Sequence, residues 1–140
     1  MTALRSPTMM TDPADAPAPR RRRSWVAKFR CAFRGLKLGI RGHSSFFVHF
    51  FVAALVVVAA FVLHCGVLEW CILLGCIGLV MTAELFNSAV ETLFRGLDEK
   101  TKERVWPCLD IAAGAVLLAS IVSAVIGTII FVRQLLNWPA

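Results

Sequence analysis

Met81-Thr82-Ala83-Glu84-Leu85-Phe86-Asn87-Ser88-Ala89-Val90-Glu91-Thr92-Leu93-Phe94-Arg95 places two carboxylates and an amide at the end of a long apolar run. Side chains advance by roughly 100° per residue in a helix, so Glu84, Asn87, Glu91 and Arg95 share one stripe. An ionisable group at membrane depth costs from about 3 to more than 10 kcal/mol, depending on how far it can snorkel, so it faces protein or water and marks a function. Two carboxylates on one stripe suit a site for a metal and phosphates.

The rest of the composition sets this stretch in a membrane. Of 140 residues 58% are hydrophobic, more than an ordinary soluble domain carries. The chain is too short for a large soluble core beside its apolar segments, so one small all-α membrane bundle is expected. The net charge is +6, and ten of the fifteen Lys and Arg precede Phe46. No aromatic-interleaved or helix-turn-helix pattern accompanies these cations, which argues against nucleic acid. A polybasic segment beside a span meets anionic headgroups and fixes topology. The five cysteines (31, 65, 71, 76 and 108) form no CxxC and read as small hydrophobes in a bilayer.

Along the chain, residues 1–23 are rich in Pro and Ala, end in four arginines, and read as a disordered tail. The first long apolar run starts too far along for an ordinary cleaved signal. From 24 to 42, Trp25, Phe29, Phe33, Leu36 and Ile40 alternate with Lys28, Arg30, Arg34, Lys37 and Arg41 at helical spacing, the pattern of an amphipathic interfacial helix. Three transmembrane helices follow, at about 46–63, 67–94 and 110–135, the first just long enough to cross. His64-Cys65-Gly66 is a very short turn, and Glu69 beside it reads as solvated at the far surface. Residues 95–106 read as a charged loop, with Pro107 just before the third helix. Fourteen of the fifteen cations lie before the first span or after the second, so the positive-inside rule puts the N-terminus in the cytoplasm and the C-terminus outside.

Glu84-Leu85-Phe86-Asn87-Ser88-Ala89-Val90-Glu91 resembles the signature Glu-x-x-Asn-Thr/Ser-Ala-aliphatic-Glu of the small prokaryotic integral-membrane lipid kinases, the diacylglycerol kinase and undecaprenol kinase family. Asp110-Ile111-Ala112-Ala113-Gly114-Ala115-Val116-Leu117-Leu118 resembles the start of that family's last span, and the two blocks stand at the family's separation. The resemblance covers roughly residues 29–136. It implies a bacterial cell-membrane enzyme that uses ATP and Mg2+, works as a homotrimer with sites shared between subunits, and phosphorylates a lipid alcohol, undecaprenol or diacylglycerol.

Carried onto matching positions, the resemblance makes Glu84 the general base beside the lipid hydroxyl, Asn87 a positioning amide in the substrate site, Glu91 the metal carboxylate and Asp110 the residue meeting the nucleotide. Phe33-Arg34-Gly35-Leu36 resembles the family's approach to the site, which makes Arg34 a substrate-binding candidate. The chemistry agrees with the residue types: Mg2+ takes oxygen ligands, keeps waters, and needs only one or two carboxylates besides the phosphates.

Three positions depart from the pattern. His43 stands where the family has a second metal-binding glutamate, and imidazole is a poor Mg2+ ligand. Arg95 replaces an aspartate, and Leu109 replaces the lysine before Asp110. His49, in contrast, resembles a histidine of Gram-positive-type members and tilts the match toward undecaprenol kinases. Two rivals follow: a catalytically degenerate member serving as a lipid-binding or assembly protein, and a small channel or transporter component. No second carboxylate ladder supports a pore.

Overall fold

The computed structural model describes residues 24–41 and 45–137. They form four helices: α1 (Trp25–Arg41), α2 (Ser45–Val62), α3 (Val67–Arg95) and α4 (Glu99–Leu136). The expected disordered tail, residues 1–23, lies outside the described residues, as does His43. Helices α2, α3 and α4 are each long and apolar enough to cross a membrane. At 1.5 Å per residue they measure about 27, 44 and 57 Å against a hydrocarbon core of about 30 Å. Large apolar side chains such as Phe47, Phe51, Leu117 and Ile129 point outward, a costly arrangement in water and a neutral one in lipid. The chain is a multi-pass membrane protein preceded by an amphipathic helix.

Helix α1 carries its aromatic and basic faces as the spacing requires, and Lys28 Nζ sits 4.3 Å from the centroid of the Trp25 ring, a cation–π contact. Its end approaches α3 closely: a Cβ on Gly39 would fall 2.7 Å from Leu85 Cδ2.

The α2–α3 turn is a helix C-terminal motif. Cys65 N–H donates to the Ala60 carbonyl at 3.0 Å and His64 N–H to Phe61 at 3.2 Å. His64 holds the left-handed conformation, φ 51°, where glycine is usual. Across this turn Phe61 meets Trp70 edge-on at 4.7 Å. Ala60, Leu73 and Ile130 form a buried cluster just below it.

The α3–α4 connection differs from the expected loop. Residues 99–109 already belong to α4, and only Gly96, Leu97 and Asp98 connect the helices. Asp98 caps the helix by accepting from Thr101 N–H at 3.1 Å, and Lys102 pairs with Glu99 at 2.7 Å. The Thr101 hydrogen bonds hold the Asp98 carboxyl below the usual carboxylate range. Phe94 and Trp106 then meet edge-on at 5.5 Å and draw the charged extension back over α3. Pro107 lies inside the helix, where it removes one backbone rung.

Helices α3 and α4 run antiparallel along most of their length. Ser123 donates to the Cys76 carbonyl at 3.4 Å, and the carbon that Gly127 lacks would meet Leu73 at 3.9 Å. Glu69 is only partly solvated: the same register brings Arg133 within 3.9 Å of its carboxylate, and the Glu69 side chain is 18% exposed. Helix α2 leans on this pair at fewer points.

Candidate active site

Glu84 is 2% exposed, in the second half of α3. Two side chains one turn apart on α2 converge on it. Ser45 donates a hydrogen bond to Oε1, and His49 Nε2 stands 3.7 Å from Oε2. Ser45 is the first residue of α2, so α3 runs on past the end of its neighbour for the eleven residues that follow Glu84, ending at Arg95, about 16 Å. That mismatch divides the polar stripe in two. Glu84 is enclosed by α2, whereas the rest of the stripe stands beyond it.

On the outer part, Asn87 Nδ2 donates to Glu91 Oε1 at 3.1 Å, and Arg95 Nη2 donates to Glu91 Oε2 at 3.3 Å. The Glu91 side chain is 34% exposed. Between the two parts Ser88 is 1% exposed, and its hydroxyl finds no hydrogen-bond partner among the described residues.

The other sequence candidates are placed less decisively. Interpolating between the Cys76–Ser123 and Phe94–Trp106 contacts, Asp110 stands level with Val90, at the height of Glu91, and is exposed on α4. Arg34 is exposed on α1 and is not brought to Glu84 by any hydrogen bond or ion pair among the described residues. No group of three or more His, Cys, Asp or Glu side chains able to hold a metal occurs among the described residues. Glu91 supplies oxygen donors of the right chemistry for Mg2+, and a single such carboxylate fits a cation held chiefly by phosphates.

Beside His49, between α2, α3 and α4, lies a cavity of about 470 Å3. Its walls are apolar, with Val52, Val56, Leu73 and Phe131 among them, apart from His49, Ser120, Ser123 and Thr128. Glu84 does not itself line this cavity; it stands behind His49 of the wall, one turn beyond Val80 and Met81, toward the polar end of α3.

Residues 30–131, well over half of the chain, match the family model for prokaryotic diacylglycerol kinase. The chain belongs to that family. It is 31% identical over 104 residues to undecaprenol kinase of Bacillus subtilis (strain 168), covering 74% of this chain and 85% of that protein. It is 30% identical over 141 residues to diacylglycerol kinase of Synechocystis, covering 94% of this chain and 81% of that protein. No solved structure matches. Within this diacylglycerol kinase family member, sequence reasoning singled out Glu84, Asn87 and Glu91, named Ser88 only as part of the signature, and missed Ser45. Ser45 lies four residues before His49, so both fall on one face of α2, and that spacing was the available signal.

Proposed function

We propose that the chain is a lipid kinase that transfers the γ-phosphoryl group of ATP to the hydroxyl of a membrane lipid alcohol, undecaprenol or diacylglycerol, at the cytoplasmic face. The observation that carries this reading is the buried Glu84 carboxylate near the polar end of α3, in contact with His49 of the wall of an apolar cavity. A lipid whose tail lies among Val52, Val56 and Phe131 presents its hydroxyl beside that contact. Glu84 accepts the hydroxyl proton as the oxygen attacks phosphorus, and ADP departs with the bond it shared with the γ-phosphoryl group.

Glu91, steadied by Asn87, would hold Mg2+ on the nucleotide, with Asp110 at the same height on α4 to meet it. When bound, Mg2+ neutralises charge on the phosphates. The basic α1 and the cations of the α4 extension support a cytoplasmic placement of this end. A homotrimer would cover the outward-facing apolar side chains and enclose the exposed Glu91 and Asp110.

Radiolabelled phosphate transfer from ATP to extracted lipids tests the reading, comparing the wild type with Glu91→Gln. Loss of labelled product in the variant is expected, and equal labelling would reject the mechanism. The ion pair between Arg95 and Glu91 favours the degenerate alternative, and no transfer by the wild type would establish it. Offering both alcohols in mixed micelles decides the substrate.

A further inference from the structure

Ser45, the first residue of α2, donates its hydroxyl across to α3, to Oε1 of the buried Glu84. A carboxylate has two chemically equivalent oxygens until something distinguishes them. Here Oε1 is engaged by Ser45, while Oε2 has no hydrogen bond among the described residues and faces His49 at 3.7 Å. His49 is also part of the wall of the apolar cavity, so Oε2 is the oxygen turned toward that wall, although Glu84 itself does not line the cavity.

We propose that Ser45 is a positioning residue: it anchors Glu84 Oε1 so that Oε2 is presented to a hydroxyl arriving from the apolar cavity. The inference rests on the kinase reading above and adds to it which oxygen acts and what orients it. In the transfer step the lipid O–H bond breaks and its proton goes to Oε2. The freed oxygen pair forms the new bond to phosphorus, and the bond to ADP breaks. Ser45 touches none of the reacting atoms. Its contribution is to stop the carboxylate from turning about its last torsion, and misplacing a reacting group by about 1 Å costs as much as roughly a hundredfold in rate. Without the hydroxyl the carboxylate remains buried on α3 but free to rotate.

The test uses the full chain in mixed micelles containing the better of the two lipid alcohols, with Ser45→Thr and Ser45→Val compared. These two side chains have nearly the same shape and differ by the hydroxyl. The expected result is that Ser45→Thr keeps most of the wild-type kcat, whereas Ser45→Val loses about tenfold or more, with KM for ATP and lipid within about twofold of wild type in both. Equal kcat in the two variants overturns the proposal, since helix packing alone would affect them alike. A loss in Ser45→Val carried wholly by KM for the lipid also overturns it, because a cavity-wall role would act there. Turnover by the wild type separates failure of this inference from failure of the kinase reading: with no wild-type turnover both fall.

Discussion

Arg95 Nη2 lies 3.3 Å from Glu91 Oε2, one turn further along α3, and so shares the carboxylate with any cation that Glu91 binds. The pair is of the i,i+4 kind with the acid first, the favourable order, yet it is largely solvated and worth only about 0.3–0.5 kcal/mol. Removing Arg95 takes this guanidinium from Glu91 Oε2 and leaves the Asn87 hydrogen bond on Oε1. Arg95→Ala is expected to lower the Mg2+ concentration for half-maximal activity by about twofold, in line with that energy. A magnesium titration of the rate at saturating ATP checks it. An increased Mg2+ requirement would instead make Arg95 a phosphate-facing cation in place of the lysine that Leu109 replaces.

Ser88 buries a hydroxyl one turn beyond Glu84 without a hydrogen-bond partner among the described residues. Leaving a buried polar group unpaired costs about 1–3 kcal/mol, more than removal of one oxygen takes away in packing. The Ser88 carbonyl, which accepts from Thr92 Oγ1 at 2.7 Å, is unaffected by the side chain. Ser88→Ala is expected to stabilise the detergent-solubilised protein by about 1 kcal/mol. Thermal unfolding checks this, and a lower midpoint would mean that the hydroxyl is satisfied in the assembled protein.

The cap at Asp98 predicts a pH dependence confined to the start of α4. Hydrogen bonds from Thr101 lower the folded-state value of this carboxyl. Its contribution is therefore complete above the ordinary carboxylate range near pH 4 and is lost as pH falls through the lower folded value. Amide exchange at Lys100, Thr101 and Lys102, corrected for intrinsic rates, is expected to accelerate in that acid window. In Asp98→Asn, which keeps an acceptor but does not titrate, the acceleration disappears. An identical profile in both proteins would assign the fraying to another group.

The spans and the stripe were legible because hydropathy and a 3.6-residue period are local properties. Lateral contacts were not. Which oxygen of Glu84 meets Ser45 depends on the rotation of α2 against α3, and the Glu69–Arg133 pair depends on the register of α3 and α4. Residues 99–106 were misread for a different reason. Their charges read as a loop, but Asp98 caps them, Glu99 and Lys102 pair within them, and Trp106 packs on Phe94, so a polar segment becomes helix.

Two glycines with opposite surroundings give opposite expectations. At Gly127 an added methyl would lie 3.9 Å from Leu73 Cδ2, an ordinary contact, so Gly127→Ala gains helix propensity and stabilises by up to about 1 kcal/mol. At Gly39 the same methyl would come 2.7 Å from Leu85 Cδ2, and Leu85 adjoins Glu84. Gly39→Ala must displace either that side chain or the end of α1, and a severalfold loss of kcat is expected by misplacement next to the base. Steady-state kinetics and thermal unfolding of both variants check the pair. A rate in Gly39→Ala equal to wild type would show that the Leu85 methyl yields freely.

Natural cysteines at the two ends of the bundle test its orientation. Cys108 is exposed in the α4 extension, and Cys65 lies in the α2–α3 turn at the opposite end. With the cationic end in the cytoplasm, single-cysteine variants in intact spheroplasts should react with a membrane-impermeant maleimide at Cys65 alone, and Cys108 should react only after permeabilisation. Burial pushes the Cys65 thiol up, and the charge of Glu69 pushes it further. The thiolate is the reactive form, so labelling of Cys65 is expected to rise at higher pH than that of a free cysteine. Glu69→Gln, which removes the charge, should move that rise to lower pH, confirming that the label reports this turn. Labelling of Cys108 in sealed spheroplasts, with Cys65 protected, would reverse the orientation and put the Glu84 site on the side away from ATP.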